Sequence, residues 1–291
     1  MSEIWTIGRL LQWTADYLQQ RGVESPRLEA EMLLAHVRGC PRIALYTAFA
    51  EVADDKLRNE FRELVKQRAA GKPVAYLVGR REFYSLPFRV TPDVLIPRPE
   101  TEFVVIGLTD LLKPHASPEG GWQIADVGTG SGVIGICLAK WLPTAHVTAI
   151  DKSPAALAVA RENATTIGVA ERIEFVESDL FANVPQDRKF HAIVSNPPYI
   201  TTAEMAELPA DVRNYEPHLA LEAGPRGTEV IERLIPQSAE RLQSGGWLLI
   251  EVSPMIEPAV RTLLAADERL EPLSTLNDLA GHPRVVRARR K

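Results

Sequence analysis

The sequence predicts an α/β protein in which a small N-terminal helical bundle precedes a doubly wound parallel sheet. Helical spacing of apolar residues dominates the start of the chain, whereas strand-like and helical runs alternate after Gly121. The length of 291 residues exceeds the roughly 100–200 residues of a usual single domain. We therefore expect a helical domain over 1–72, a β-hairpin linker over 73–93 and an α/β domain over 94–291.

The first domain is predicted to contain three helices. Apolar residues recur at helical spacing from Ile4 to Leu18, and Ser25-Pro26 is typical of a second helix start. A third helix is predicted from about Asp54 to Ala70, ended by Gly71 and Pro73. The following segment, 74–92, is interpreted as a hairpin, with turn candidates at 79–81 and 85–87.

The second domain shows the alternation expected of a parallel sheet. Helical runs separate strand-like runs at Ile124–Asp126, His146–Ile150, Ile173–Val176, His191–Ser195 and Trp247–Ile250. Two further strands, around 270–274 and 284–288, are expected as an antiparallel pair. In such a sheet the first and fourth strands are neighbours at the topological switch point. The loops after these two strands should therefore share one rim.

The loop after the first strand is rich in glycine and follows an acidic residue. Its predicted ligand-binding residues are Asp126, Gly128, Thr129, Gly130, Ser131 and Gly132. The dinucleotide fingerprint requires Gly-x-Gly-x-x-Gly or Ala, but Val133 occupies the last position. The pattern thus suits a nucleoside ligand without a pyrophosphate. Glycines that serve only the geometry of a strand-to-helix turn are the alternative.

Two more acidic residues follow predicted strands. Asp151 ends the second strand, where doubly wound folds bind ribose hydroxyls, and Ser153-Pro154 after it fits a helix start. After the third strand, Asp179 is predicted to accept an adenine N–H and Leu180 to pack on the ring. The alternative for Asp151 is an ordinary exposed loop aspartate, and the alternative for Asp179 is a helix cap.

The loop after the fourth strand reads Asn196-Pro197-Pro198-Tyr199, and we predict that these four residues form the catalytic site. Proline lacks a backbone N–H and restricts the preceding residue, so this segment is stiff and has unpaired carbonyls. The Asn196 side-chain oxygen and the Pro197 backbone oxygen could accept both hydrogens of a planar NH2 group, with Tyr199 covering one face. A strand end followed by a loop is the alternative.

Composition excludes several other classes of protein. The net charge of −5 argues against a broad basic surface for nucleic acid, so no stable nucleic-acid partner is expected. Cys40 and Cys137 fit neither a disulfide nor a metal spacing, and no metal site is expected. Because the sequence shows neither a targeting signal nor an apolar run of about 20 residues, we expect a cytoplasmic protein without membrane contact.

Taken together, these motifs resemble the HemK/PrmC class of S-adenosylmethionine-dependent methyltransferases. The resemblance spans nearly the whole chain and includes the run 94–102, which contains Arg98 and Glu100. It implies a Rossmann-like domain, S-adenosyl-L-methionine as cofactor, and methylation of a glutamine side-chain amide in a loop of peptide-chain release factors. It also implies that 94–102 forms a wall of the active site.

Two alternatives to this function stay open at the level of sequence. Asn-Pro-Pro-Tyr also occurs in methyltransferases that act on the amino groups of adenine or guanine in nucleic acid. A non-catalytic nucleoside-binding module is the other alternative. The resemblance assigns no catalytic role to Glu251, Val252 and Ser253, which follow the fifth strand.

Overall fold

A computed structural model describes residues 4–291 and divides the chain into two compact units. One unit contains the residues up to Arg80 together with Pro209–Tyr215. The other contains Arg81–Leu208 and Glu216–Lys291. The first unit thus extends beyond the predicted boundary at residue 72 and takes in a segment from the second half of the chain.

The first unit is helical, and apolar faces of its helices form one core. Residues such as Ile7, Leu11, Leu33 and Leu34 are completely buried there. Its helices are α1 (Ile7–Gln19), α2 (Pro26–Arg38), α3 (Ala44–Thr47), α4 (Asp55–Ala69), α5 (Val74–Val78) and α9 (Ala210–Tyr215).

The helix α5 occupies the start of the segment that the sequence suggested as a hairpin. Its residues Ala75–Val78 are all buried, and it packs against α2 and α4 until Gly79 ends it at a φ of 71°. Burial of consecutive residues explains why the apolar run does not alternate as a strand. The hairpin itself is shorter, with β1 (Arg80–Phe83) and β2 (Leu86–Arg89) joined at 84–85, where both φ angles are positive.

The second unit contains the predicted doubly wound sheet. Its helices are α6 (Glu102–Leu112), α7 (Val133–Trp141), α8 (Pro154–Ile167), α10 (Glu229–Arg241) and α11 (Glu257–Ala266). Its strands are β3 (Trp122–Val127), β4 (Ala145–Asp151), β5 (Ile173–Glu177), β6 (Phe190–Ser195), β7 (Ile200–Thr201), β8 (Glu222–Gly224), β9 (Leu242–Glu251), β10 (Leu270–Pro272), β11 (Leu276–Asn277) and β12 (Pro283–Arg290). The pair β7 and β8 forms a small separate sheet.

The main sheet has the order β10-β12-β9-β6-β3-β4-β5, with β11 paired to β12. The strands from β9 to β5 are parallel, whereas β12 is antiparallel to both β9 and β10. The first and fourth strands of the α/β pattern, β3 and β6, are hydrogen-bonded neighbours, as predicted. Their pairing brings the loops that follow them to one edge.

Helices cover both faces of this sheet and bury two apolar cores. Residues from α6, α7 and α8 contribute to one core, and residues from α10 and α11 contribute to the other. The start of α8 follows the predicted pattern, because the Ser153 side chain accepts from the Ala156 N–H and Pro154 occupies the first turn. This local cap fixes where β4 stops and therefore where Asp151 lies.

Candidate active site

The glycine loop and the Asn-Pro-Pro-Tyr segment meet at the carboxyl ends of β3 and β6. Val127 pairs with Ser195, and the Ser195 hydroxyl donates to the Val127 carbonyl at 2.6 Å. One residue further, the Asn196 carbonyl oxygen lies 3.7 Å from the position that a Cβ would take on Gly128. The two predicted motifs therefore lie side by side.

A cleft opens between these loops and contains most of the predicted site residues. Its lining includes Gly128, Thr129, Gly130, Ser131, Asp151, Asp179, Leu180, Asn196 and Pro198. Four other predicted residues, Asp126, Gly132, Pro197 and Tyr199, are not part of this lining. Their predicted contacts with ligand or substrate stay predictions, whereas their contacts within the protein are described below.

Asp126 supports the glycine loop from within the protein. Its carboxylate is fully buried and accepts from the Thr129 hydroxyl at 2.6 Å and from the Gly135 N–H at 2.9 Å. A Cβ on Gly135 would lie 3.0 Å from this carboxylate, so glycine permits the close approach of α7. Burial raises the pKa of Asp126 to about 6. Asp126 thus orders the loop whose outer side lines the cleft.

Asp151 connects the end of β4 to the glycine loop. One carboxylate oxygen accepts from the Gly130 N–H at 2.8 Å, and the other accepts from the Ser153 N–H at 2.9 Å. Burial raises the pKa of Asp151, although these backbone N–H groups oppose the shift. Each carboxylate oxygen has a second lone pair, which leaves capacity for hydroxyl groups in the cleft.

The next loop presents Asp179 and Leu180 to the same cleft. Asp179 forms an ion pair with Arg233 at 2.9 Å, and its side chain is 42% exposed. Leu180 has a φ of 53°, a conformation that is uncommon for leucine. Such positions cluster at ligand sites because the surrounding structure must hold them in place. This geometry agrees with the ligand contact that the sequence predicts.

Asn196 and Tyr199 are held by two buried side chains, of which Thr101 also lines the cleft and Glu251 does not. The Asn196 amide nitrogen donates to the Thr101 hydroxyl oxygen at 3.1 Å, and the Tyr199 hydroxyl lies 3.5 Å from a Glu251 carboxylate oxygen. Burial raises the pKa of Tyr199 well above its ordinary value, and the Glu251 charge adds to this shift. Tyr199 is therefore a neutral hydrogen-bond donor at physiological pH.

Comparison with known proteins decides the family. A family model described as PrmC N-terminal domain matches residues 9–79, and another, described as Methyltransferase small domain, matches residues 107–210. A release factor glutamine methyltransferase of Rhodopirellula baltica is 48% identical over 97% of this chain and 95% of its own length. The enzyme of the same name from Vibrio cholerae is 40% identical over 97% of this chain and 96% of its own length.

The chain belongs to the release factor glutamine methyltransferase family. The resemblance deduced from the motifs is thereby confirmed, and so is S-adenosyl-L-methionine as the cofactor. A solved structure titled as a T. thermophilus 16S rRNA N2 G1207 methyltransferase in complex with AdoMet and guanosine has a TM-score of 0.52. Its sequence is 18% identical, and the match covers 73% of this chain and 50% of the solved chain. At this identity the likeness concerns the fold alone.

The cleft of this methyltransferase fits the cofactor chemically. Gly130 has a φ of 56°, and a Cβ placed on it would meet no atom within 4 Å. The backbone at Gly130 therefore borders open space, which a larger side chain would fill. Asp151 adds acceptors for hydroxyl groups at the end of β4, and Leu180 adds an apolar surface. These residues would hold the nucleoside and amino-acid parts of S-adenosylmethionine.

The wall 94–99 is fixed by a partner far away in sequence. Glu216 is buried, accepts from the Ile96 N–H at 3.1 Å and pairs with Arg98 at 2.6 Å. Glu100 instead lies 3.7 Å from Arg284. Val94, Leu95 and Pro97 line the cleft, as a wall requires. The ion pair with Glu216 thus assigns Arg98 a structural role in this wall.

Sequence reasoning assigned no individual role to two residues next to the predicted catalytic segment, although Thr101 lies within the predicted wall 94–102. Thr101 and Glu251 are both 2% exposed and contact Asn196 and Tyr199, respectively. A signal for Glu251 was present, since a carboxylate ends the buried apolar run of β9. Buried carboxylates are uncommon without a partner or a function. The sequence offered no comparable signal for Glu216.

Proposed function

We propose that this protein transfers a methyl group from S-adenosylmethionine to the side-chain amide nitrogen of a glutamine in peptide-chain release factors. The observation that carries the proposal is the proximity of Gly128 and Asn196 in one cleft, because it supports a cofactor loop beside a segment suited to an amide. The relatives' names support the choice of release factors as substrate. A glutamine presented on a loop of the release factor would enter the cleft.

The proposed acceptor groups for the substrate amide are the Asn196 side-chain oxygen and the Pro197 backbone oxygen. Because the Asn196 NH2 group is directed to Thr101, its side-chain oxygen is available to the cleft. Pro198 lines the cleft next to it and stiffens the backbone. Tyr199 then covers one face of the planar amide. Two acceptors would hold the substrate nitrogen with its lone pair toward the methyl group.

The reaction needs placement and electrostatics more than a strong base. The cofactor supplies an electrophilic methyl group on a charged sulfur. The amide nitrogen forms the new N–C bond, the C–S bond breaks with its electron pair remaining on sulfur, and the nitrogen loses one proton to water. Acceptors at Asn196 and Pro197 stabilise the positive charge that develops on nitrogen. In-line placement contributes up to about 7–11 kcal/mol in favourable cases.

The test of this function is methylation of an unmodified release factor. The purified protein is incubated with S-adenosylmethionine and the factor, and peptide mass spectrometry locates the added mass. We expect one methyl group on a glutamine side chain and none on duplex DNA or structured RNA offered in parallel. Methylation of nucleic acid with none on the release factor would overturn the proposed substrate. Cofactor binding without any methyl transfer would instead support a binding module.

The helical unit is proposed to dock the release factor through an aromatic groove. Trp13 is 49% exposed and stacks on Tyr17 with ring centroids 5.0 Å apart, while Trp5 meets Trp13 edge to face. Arg58 and Arg62 lie along the same groove. Aromatic residues and arginine are enriched in the energetic centres of protein interfaces. Because Arg58 already pairs with Asp55, Arg62 supplies the positive charge that favours an acidic surface on the release factor.

If this groove docks the release factor, a change in it should affect the KM for the intact protein but not the KM for a short peptide. Trp13→Ala should raise the KM for the intact release factor about 30-fold, which corresponds to about 2 kcal/mol for an interface hot spot. A short peptide that contains the glutamine should be methylated as by the unaltered enzyme. Trp141→Ala serves as control, because Trp141 is 51% exposed but belongs to the other unit. Equal effects of both variants on the release factor would contradict the docking role.

A release factor substrate also places the protein, within this proposal, in the cytoplasm, where translation takes place. Independently, the described part of the chain contains no helix that is long and apolar enough to cross a membrane.

A further inference from the structure

Glu251 is a buried carboxylate directly behind the proposed amide-binding segment. It ends β9, one residue after Ile250, which pairs with Ser195 on β6. Asn196 follows Ser195, so Glu251 and Asn196 leave neighbouring strands at the same height. Only 2% of Glu251 is exposed, and burial is the largest cause that raises its pKa, to about 7.

The surroundings of Glu251 supply two hydroxyl groups and two charged groups. The Tyr199 hydroxyl lies 3.5 Å from Oε1, and the Thr101 hydroxyl is close enough to lower the pKa of the carboxyl. Among the charged groups, Glu100 raises this pKa and Arg284 lowers it. Within residues 4–291, Oε2 accepts no hydrogen bond of normal geometry. Burial of a carboxylate oxygen without a hydrogen-bond partner costs free energy, and such a group in a folded protein is often explained by a function.

Thr101 connects this carboxylate to Asn196. A threonine hydroxyl donates one hydrogen bond and accepts others, whereas an ionised carboxylate only accepts. When Glu251 is ionised, Thr101 therefore directs its hydrogen to Glu251 and offers its oxygen to the Asn196 NH2 group, which lies 3.1 Å away. The Asn196 side-chain oxygen then faces the cleft, as the proposed substrate amide requires.

A protonated Glu251 reverses this order. Its hydroxyl can donate to Thr101, which frees the Thr101 hydrogen to bond the Asn196 side-chain oxygen. The Asn196 amide would then turn its NH2 group toward the substrate NH2, and two donors would oppose each other. The side-chain oxygen and nitrogen of asparagine have the same shape, so hydrogen bonding alone selects between the two orientations.

We propose that ionised Glu251 is a positioning residue that sets the orientation of the Asn196 amide through Thr101. The proposal rests on the proposed function, since it explains how Asn196 comes to offer an acceptor to a glutamine amide. Tyr199 is held by the same carboxylate, so one group would order two of the four residues in the segment.

The kinetic test compares pH profiles of kcat on the release factor. The unaltered enzyme should gain activity as pH rises through about 7, because the ionised carboxylate is the competent form. Glu251→Gln and Thr101→Val should each lower kcat about tenfold to a hundredfold at pH 8, the scale of a misplaced group, and should abolish this rise. Because Glu251 and Thr101 act in one chain of hydrogen bonds, the kcat of the double variant should be no lower than that of the more impaired single variant.

Matched controls separate positioning from general damage to the fold. Thr148→Val removes another buried threonine hydroxyl, from the middle of β4, and Glu31→Gln neutralises another buried carboxylate, in the helical unit. Both should keep the rise of kcat with pH. The KM and the cofactor Kd of the Glu251 and Thr101 variants should stay within about threefold of the unaltered enzyme. An unchanged pH profile in Glu251→Gln, or loss of cofactor binding equal to the loss of kcat, would overturn the proposal.

A second readout does not depend on turnover. The side-chain NH2 resonances of Asn196, assigned with Asn196→Ala, should shift in NMR spectra with an apparent pKa near 7 in the unaltered protein and stay constant in Glu251→Gln. Resonances that ignore pH in the unaltered protein refute the positioning role, even if methylation occurs. A pH-dependent shift without methylation of any release factor would refute the proposed function while the positioning role stands.

Discussion

Replacement of Asn196 by alanine tests the proposed placement of the substrate amide most directly. The variant removes the side-chain oxygen offered to the cleft and leaves the backbone of 196–199 in place. We expect kcat on the release factor to fall while the cofactor Kd changes by less than about twofold. The reason is that the residues proposed to bind the cofactor, the glycine loop and Asp151, are joined through the Gly130 N–H and not through this side chain.

The magnitude follows from the number and environment of the lost contacts. Asn196 donates to Thr101 at 3.1 Å, which leaves one side-chain acceptor for one hydrogen of the substrate amide. Loss of one preorganised hydrogen-bonding group that acts on developing charge costs about 2.7–4 kcal/mol, or roughly 100-fold to 1,000-fold in kcat. The Pro197 carbonyl would still accept the second hydrogen, so some activity should remain.

The assay measures methyl transfer to the release factor under saturating cofactor and cofactor affinity by calorimetry. Asn183→Ala provides the control, because the Asn183 side chain donates to the Glu177 carbonyl and does not line the cleft. It should retain kcat within about twofold. A loss of cofactor affinity in Asn196→Ala as large as the loss of kcat would refute the role in orienting the amide.

Three further changes have calculable outcomes. Gly130→Val should weaken cofactor binding at least about tenfold by calorimetry, because its side chain would enter the open cleft, whereas Gly168→Val, which is also left-handed at φ 80°, should not. Arg98→Met should lower the free energy of unfolding in urea by roughly 2–3 kcal/mol, since it leaves buried Glu216 unpaired. Asp126→Asn should remove a pH dependence of the unfolding free energy. The folded pKa of about 6 exceeds the ordinary aspartate pKa of 3.8, so ionisation destabilises the unaltered protein by roughly 3 kcal/mol as pH rises between these values.

For each of these three variants, one result would contradict the prediction. Equal cofactor affinities for the two glycine variants would show that the backbone at Gly130 does not border the ligand. Arg226→Met removes an arginine that is 65% exposed and pairs with two half-buried glutamates, and it should cost less than about 1 kcal/mol. If Arg98→Met costs no more, the buried pair does not secure the wall. An Asp126→Asn variant with the same slope against pH as the unaltered protein would exclude Asp126 as the titrating group.

Local sequence patterns predicted the parts of the site that depend on strand ends. The apolar runs of β3, β4 and β6 and the cap at Ser153 fix where these strands stop. Since parallel strands end at one edge, the loops at 128–132 and 196–199 were expected to share a rim, and they do. Periodicity and capping are short-range effects that are legible in a single sequence.

The features that were not predicted depend on contacts between distant parts of the chain. Glu216 binds the Ile96 N–H across 120 positions, and no local pattern records such a pairing. The run 74–78 forms a helix because it packs against α2 and α4, which outweighs its strand-like composition. The complete burial of Asp126 was not predicted either: its side chain is directed toward α7, where it accepts from the Gly135 N–H, and its predicted contact with the ligand stays a prediction.

The inclusion of Pro209–Tyr215 in the helical unit limits how the two parts of this enzyme can be separated. The Tyr215 hydroxyl donates to the Ala70 carbonyl at 3.2 Å, while the adjacent Glu216 is anchored to Arg98 in the sheet unit. Removal of the residues up to Arg80 would therefore leave Pro209–Tyr215 without the surface against which this segment packs. Exchange of this module between relatives, in evolution or in engineering, requires two coordinated junctions rather than one cut in the chain.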